Sequence, residues 1–180
     1  HFVFTHDTPD RYEGSGSWKI ESADGRRQEG EAVKTGDKIR LNNMYFKGGY
    51  LNSHGNAHDM LPFKLVVHQT TQKGIFTTKD LDENNTSTIW TIQSARNPSA
   101  LGETVYVGDD IHLKSGTHEA YLDACGLLTY TYMFEDHNSR RLCVFTSTSK
   151  NRDNDSGTWQ VSLSNFTEQI QAELAFDFFD

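Results

Sequence analysis

Three tryptophans head near-copies of one short segment, and this internal repeat limits the fold more than any other feature of the chain. Gly16-Ser17-Trp18-Lys19-Ile20-Glu21-Ser22 returns as Thr88-Ile89-Trp90-Thr91-Ile92-Gln93-Ser94 and again as Gly157-Thr158-Trp159-Gln160-Val161-Ser162, with the tryptophans 72 and 69 residues apart. A second element, Thr35-Gly36-Asp37-Lys38-Ile39-Arg40-Leu41, recurs as Val107-Gly108-Asp109-Asp110-Ile111-His112-Leu113. Each copy leads into a third element, Tyr50-Leu51-Asn52-Ser53-His54-Gly55 and Tyr121-Leu122-Asp123-Ala124-Cys125-Gly126. A fourth precedes each tryptophan: Phe2-Val3-Phe4-Thr5, Leu65-Val66-Val67-His68 and Cys143-Val144-Phe145-Thr146. Four elements in one order at matching spacing do not arise by chance.

Every element alternates apolar with polar residues or is rich in β-branched and aromatic ones, the period of a half-buried strand. Gly-Asp before Ile-x-Leu reads as a tight turn feeding a strand. Helical signals are confined to 167–174, which suit two turns, and the aromatic, acidic end 175–180 suits a docked strand instead. Four short strands repeated in threes predict an all-β chain folded as a β-trefoil, a six-stranded closed barrel capped by three hairpins. The expected domain spans 1–180 with long loops, divided into repeat elements 1–24, 25–96 and 97–165 and a C-terminal extension 166–180; the third unit is completed either by that extension or by a half-unit preceding His1. That closure requires the two ends of the repeat array to meet.

At 180 residues the chain fits one domain. Only 35% of it is hydrophobic, so its 11 Phe, 7 Tyr and 3 Trp must supply much of the core. The net charge of −8 opposes nucleic-acid and anionic-membrane partners. No run of about 18 apolar residues is present to cross a bilayer as a helix. The opening His1 reads as a processed or partly defined N-terminus. Cys125 and Cys143 flank a predicted hairpin and are expected to form a disulfide contributing about 3 kcal/mol. With the sequons at Asn84, Asn85, Asn154 and Asn165, the pair points to a secreted or cell-surface glycoprotein.

At these elements the chain resembles the MIR- and fascin-type β-trefoils. Gly36 to His54, with Gly-Asp-x-Ile-x-Leu and Tyr-Leu-x-Ser-His, is similar to the MIR pattern, as is Asn85 to Ile92 at the close of the unit. Ile111 to Ser115 and Tyr121 to Ala124 are similar to the fascin unit. The resemblance covers most of 1–165 and implies a trefoil, a fold that hosts lectins, actin bundlers and inhibitors alike. The ricin-type mark, Gln two residues before Trp, is replaced by Gly16, Thr88 and Gly157, which argues against a galactose site of that kind.

The equivalent placement of the tryptophans, and of Tyr50, Tyr121, Leu51 and Leu122, assigns them to the core. Asp37 and Asp109 are expected to shape turns. The candidate ligand-binding residues are the polar ones around the Tyr-Leu element, Asn52, His54 and Asp123, with Asn43 and Tyr45 from the preceding loop. Polar groups beside an aromatic can orient a sugar hydroxyl. No metal or cofactor is expected: His54 and His58 lie in a Gly/Asn loop, and Asn151-x-Asp153-x-Asp155 and Asp80-x-Asp82-x-Asn84 lack the glycine and glutamate of a calcium loop. The chain is therefore expected to be an extracellular binding module that catalyses nothing, its partners glycans or another extracellular protein. The alternative is an assembly protein that self-associates through the tail around Phe176 and Phe178.

Overall fold

The computed structural model describes residues 3, 5, 14–45, 48–56, 73–81, 86–124 and 144–164. The predicted disulfide at Cys125 and Cys143, the sequons at Asn84, Asn85 and Asn165, and the tail lie outside these residues. Among the described residues nine strands run in chain order: Trp18–Ser22 (β1), Lys38–Asn43 (β2), Tyr50–Asn56 (β3), Lys73–Thr78 (β4), Trp90–Ser94 (β5), Asp110–Ser115 (β6), Tyr121–Ala124 (β7), Val144–Ser147 (β8) and Trp159–Gln160 (β9). The one helical element among the described residues is a 3-10 turn at Thr86–Thr88, and no described helix is long and apolar enough to cross a membrane.

The strands pair antiparallel in the order β2, β3, β4, β8, β7, β6, β5, and β5 returns to β2 through Ile39 opposite Trp90. The result is a closed seven-stranded barrel, with β1 added outside β2 and β9 outside β6. Closure removes sheet edges that would otherwise invite pairing with other chains.

This overturns the β-trefoil expectation. Only two sets of Gly-Asp and Tyr-Leu elements exist to fill the barrel, so β1–β4 and β5–β8 repeat and there is no three-fold symmetry. The fourth strands of the two units meet each other directly, Gly74 opposite Phe145, and the strand count is odd because β1 stays outside the ring while its counterpart β5 is within it. The repeat itself is reproduced to the residue. Trp18 opposes Asn43 as Trp90 opposes Ser115, and Ile39 opposes Trp90 as Ile111 opposes Trp159.

A second correction concerns the fourth element of the first unit. The strand in that place is Ile75-Phe76-Thr77-Thr78, whose register against β3 matches that of Val144-Phe145-Thr146-Ser147 against β7. Leu65-Val66-Val67-His68 lies outside the described residues. Phe4, Phe76 and Phe145 each precede a tryptophan by 14 residues, so the spacing already marked the true strand. Val3 donates its N–H to the Ile75 carbonyl at 3.1 Å, which lays the first copy of the element against the second.

The core is built from the alternating positions: Ile39, Leu51, Ile75, Trp90, Ile92, Ile111, Leu113, Leu122 and Val144, with Trp18 and Trp159 packed against them. Each unit's Tyr-Leu strand receives the next tryptophan. The Trp90 indole N–H donates to the Leu51 carbonyl at 3.0 Å, and that of Trp159 to the Leu122 carbonyl at 3.1 Å. Buried indoles need such acceptors, and here the acceptor fixes how one unit follows another. The beginning and end of the array also meet, through the hydroxyls of Ser17 and Ser164.

Candidate functional site

The Gly-Asp turns are local structures of one kind. Gly36 and Gly108 hold φ of 88° and 93°, a region open to glycine at little cost. The following aspartate folds back on its own turn: Lys34 N–H donates to Asp37 Oδ2 at 2.9 Å, and Tyr106 N–H to Asp109 Oδ2 at 2.8 Å. Each turn then hydrogen-bonds the next tryptophan strand, Gly36 to Ile92 and Gly108 to Val161. Both are therefore held rigidly at the barrel surface.

The two turns differ in what caps them. In the first, Arg27 forks onto Asp37, Nε to Oδ2 at 2.9 Å and Nη2 to Oδ1 at 3.2 Å. Burial raises the Asp37 carboxyl, but the Arg27 hydrogen bond, the Lys34 N–H and the nearby positive charge outweigh it and hold the group below its ordinary value. In the second turn no side chain among the described residues reaches Asp109. Instead Tyr106 and Val107 stand in solvent, 67% and 58% exposed, with Leu101 at 79% on the same loop. Gln160 reaches the Gly108 carbonyl from the adjoining strand. An exposed aromatic beside an open carboxylate and an amide, on a fixed backbone, is a surface on which a ligand can stack and be oriented.

The residues singled out from the sequence fall elsewhere. Asn43 staples its own loop, donating through Nδ2 to the Ser15 and Ser17 carbonyls and accepting from the Tyr45 N–H. Tyr45 is half-buried, and its carbonyl accepts from Gly48. Asn52 and Asp123 occupy equivalent places in β3 and β7, opposite Phe76 and Phe145, and both are buried. The Asp123 carboxylate accepts from Ser156 Oγ at 2.9 Å and pairs with Arg152 at 3.5 Å. His54 stands opposite Gly74, next to a bulge in β3. The structure thus brings Asn43 and Tyr45 together and sets Asn52 and Asp123 apart, one in each unit. Asn154 is exposed at the tip of a turn with φ of 51°, an accessible place for its sequon. The neighbouring Asn151 uses its Oδ1 to accept from Gly157 N–H and Thr158 Oγ1. Among the described residues no group of His, Cys, Asp or Glu is arranged to hold a metal.

A polar cluster that the sequence did not announce spans the seam between units. His118 Nε2 lies 3.0 Å from Thr146 Oγ1, and its Nδ1 lies 2.6 Å from Thr117 Oγ1 and 3.2 Å from Ser115 Oγ. Ser115 continues to Ser53 at 3.2 Å, and Thr146 accepts from the Lys73 N–H. Burial, and then the charge of Lys73, hold the His118 ring below its ordinary value of 6.5. The unfolded chain therefore binds this proton more readily than the folded one. The stability tied to neutral His118 is complete above pH 6.5 and is lost as the pH falls from there toward the folded value. Thermal melts between pH 7.5 and 5 should show a fall in Tm that is smaller in His118→Gln, which keeps the hydrogen bonds but cannot take up the proton.

No protein-family model matches the chain, and no curated protein sequence does. Solved structures do share the fold. A Caenorhabditis elegans protein of unknown function is similar with a TM-score of 0.57 at 20% identity, covering 81% of this chain and 69% of that one. The SDF2-like protein from Arabidopsis thaliana is similar with a TM-score of 0.56 at 17% identity, covering 88% and 78%. The Saccharomyces cerevisiae protein O-mannosyltransferase Pmt1-Pmt2 complex, bound to the sugar donor, gives a TM-score of 0.47 at 15% identity, covering 88% of this chain and 23% of that one, too distant to carry an argument. Likeness at these identities shows the fold and leaves function to the surface residues.

Proposed function

We propose that this protein is an extracellular, non-catalytic binding module whose ligand is a carbohydrate, held at the second Gly-Asp turn. One observation carries the reading: Tyr106 is exposed on a rigid turn whose own aspartate is uncapped, whereas the matching turn of the first unit is sealed by Arg27. An aromatic face with a carboxylate and an amide at its rim suits a sugar ring, which has an apolar face and a hydroxylated edge.

A glycan array with the purified chain tests this. Binding to at least one glycan is expected, with Tyr106→Ala weakening it tenfold or more while Tm stays unchanged, because Tyr106 packs little against the barrel. Retention of full affinity in Tyr106→Ala would move the ligand elsewhere on the protein.

A further inference from the structure

The two loops that lead to the Gly-Asp turns are the same length: 15 residues separate Ser22 from Asp37 and Ser94 from Asp109. Two positive-φ glycines of each loop coincide, Gly30 at 87° with Gly102 at 78°, and Gly36 at 88° with Gly108 at 93°, while Gly25 at 70° has Asn97 in its place. Ser99 therefore stands at the register of Arg27. The Gly-Asp turn and its aspartate are shared by the two units, and the residue that fills the carboxylate in one is missing from the other.

Arg27 shows what this carboxylate accepts. Its Nε and Nη2 present two side-by-side donors, one to each oxygen of Asp37. A vicinal diol on a sugar ring presents two hydroxyl donors side by side in the same manner. It can also accept from Gln160, whose Nε2 lies beside the turn carbonyl of Gly108. Around the first turn the corresponding surface is closed twice over, by Arg27 and by the replacement of the aromatic with Lys34. We infer that the second-unit turn is an open copy of a site that Arg27 fills in the first, and that it takes the vicinal diol of one sugar ring per chain. The inference rests on the carbohydrate reading and adds to it the chemistry recognised and a valency of one.

The experiment is an NMR titration of the full chain with methyl glycosides of glucose, galactose and mannose, with their 3-deoxy counterparts, and separately with N-acetyl-arginine amide. The expected result has four parts. Shifts gather at 106–110 and 160 and spare 34–38. Removing one hydroxyl of the diol weakens binding about tenfold or more. Asp109→Asn and Ser99→Arg each do the same, the latter by supplying the internal cap. Both variants keep the parent Tm. Normal glycoside binding in both variants, with binding still lost in Tyr106→Ala, overturns the diol contact and leaves the carbohydrate reading standing. Tighter binding of the arginine amide than of any glycoside also overturns it, and assigns the turn to a protein partner's arginine. Failure of the chain to bind any glycoside or arrayed glycan overturns both.

Discussion

Trp90→Ala is expected to lower stability by about 3–5 kcal/mol, a large part of the 5–15 kcal/mol typical of a folded domain. Trp90 has no exposed surface, lies between Ile39 and Ser115 across its two neighbouring strands, and sits where β5 closes the barrel on β2. Its removal leaves a cavity that flanking strands on both sides cannot collapse into, because each is held by its own ladder. It also strips the Leu51 carbonyl of its indole donor. Trp90→Phe separates the two effects: most of the packing is kept, and the unsatisfied carbonyl costs about 1–3 kcal/mol. Trp159→Ala should cost less than Trp90→Ala, since Trp159 makes the same bond to Leu122 but is only half-buried. Urea denaturation of the variants measures all three, and an equal loss for Trp90→Ala and Trp159→Ala would contradict the burial argument.

The strands around these tryptophans were legible because a repeat supplies its own control. Ile39 and Ile111, or Leu51 and Leu122, are recognisable as core once the same pattern appears twice in one order. The strand Ile75–Thr78 escaped because Leu65-Val66-Val67-His68 is the more apolar run, and apolar runs of that length do not identify their own partners. Spacing from Trp90 would have chosen correctly. Closure was misjudged for a different reason: three Trp elements suggested three units, but pairing of β4 with β8 is a long-range event that no local pattern encodes. Asn52 and Asp123 read as ligand-binding residues because polar side chains rarely enter a strand buried on both faces; the cost of Asp123 is offset by Ser156 and Arg152, far along the chain. Tyr106 was missed because nothing periodic marks an exposed side chain. Comparing Arg27 with Ser99 at the same register would have drawn attention to it.

Asp123→Ala is expected to cost about 3 kcal/mol, near the lower end for breaking a buried ion pair. Asp123 has no exposed side-chain surface, whereas Arg152 keeps 26% and can turn toward water once its partner is gone. The loss extends beyond the charge. Asp123 Oδ2 also accepts from Ser156 Oγ and, at 3.4 Å, from Arg152 N–H, so it holds the turn that leads into Trp159. Burial pushes the Asp123 carboxyl up; the hydrogen bonds from Ser156 and Arg152 and the charge of Arg152 oppose this without reversing it. The sign follows: because the folded value lies above the unfolded one, ionisation of Asp123 removes stability as the pH rises through the folded value, and none is lost below the ordinary 3.8. A neutral isostere should then be tolerated far better than truncation. Asp123→Asn, the residue the first unit carries at this place as Asn52, keeps an acceptor for Ser156 and is expected to cost about 1 kcal/mol. Combining it with Arg152→Met, which leaves no unpaired charge, should bring the loss close to zero, as replacement of a buried pair by neutral groups often does. A double-mutant cycle by urea denaturation reads these values. A loss for Asp123→Asn equal to that of Asp123→Ala would show that the charge, and not the hydrogen bonds to the turn, secures this corner of the barrel.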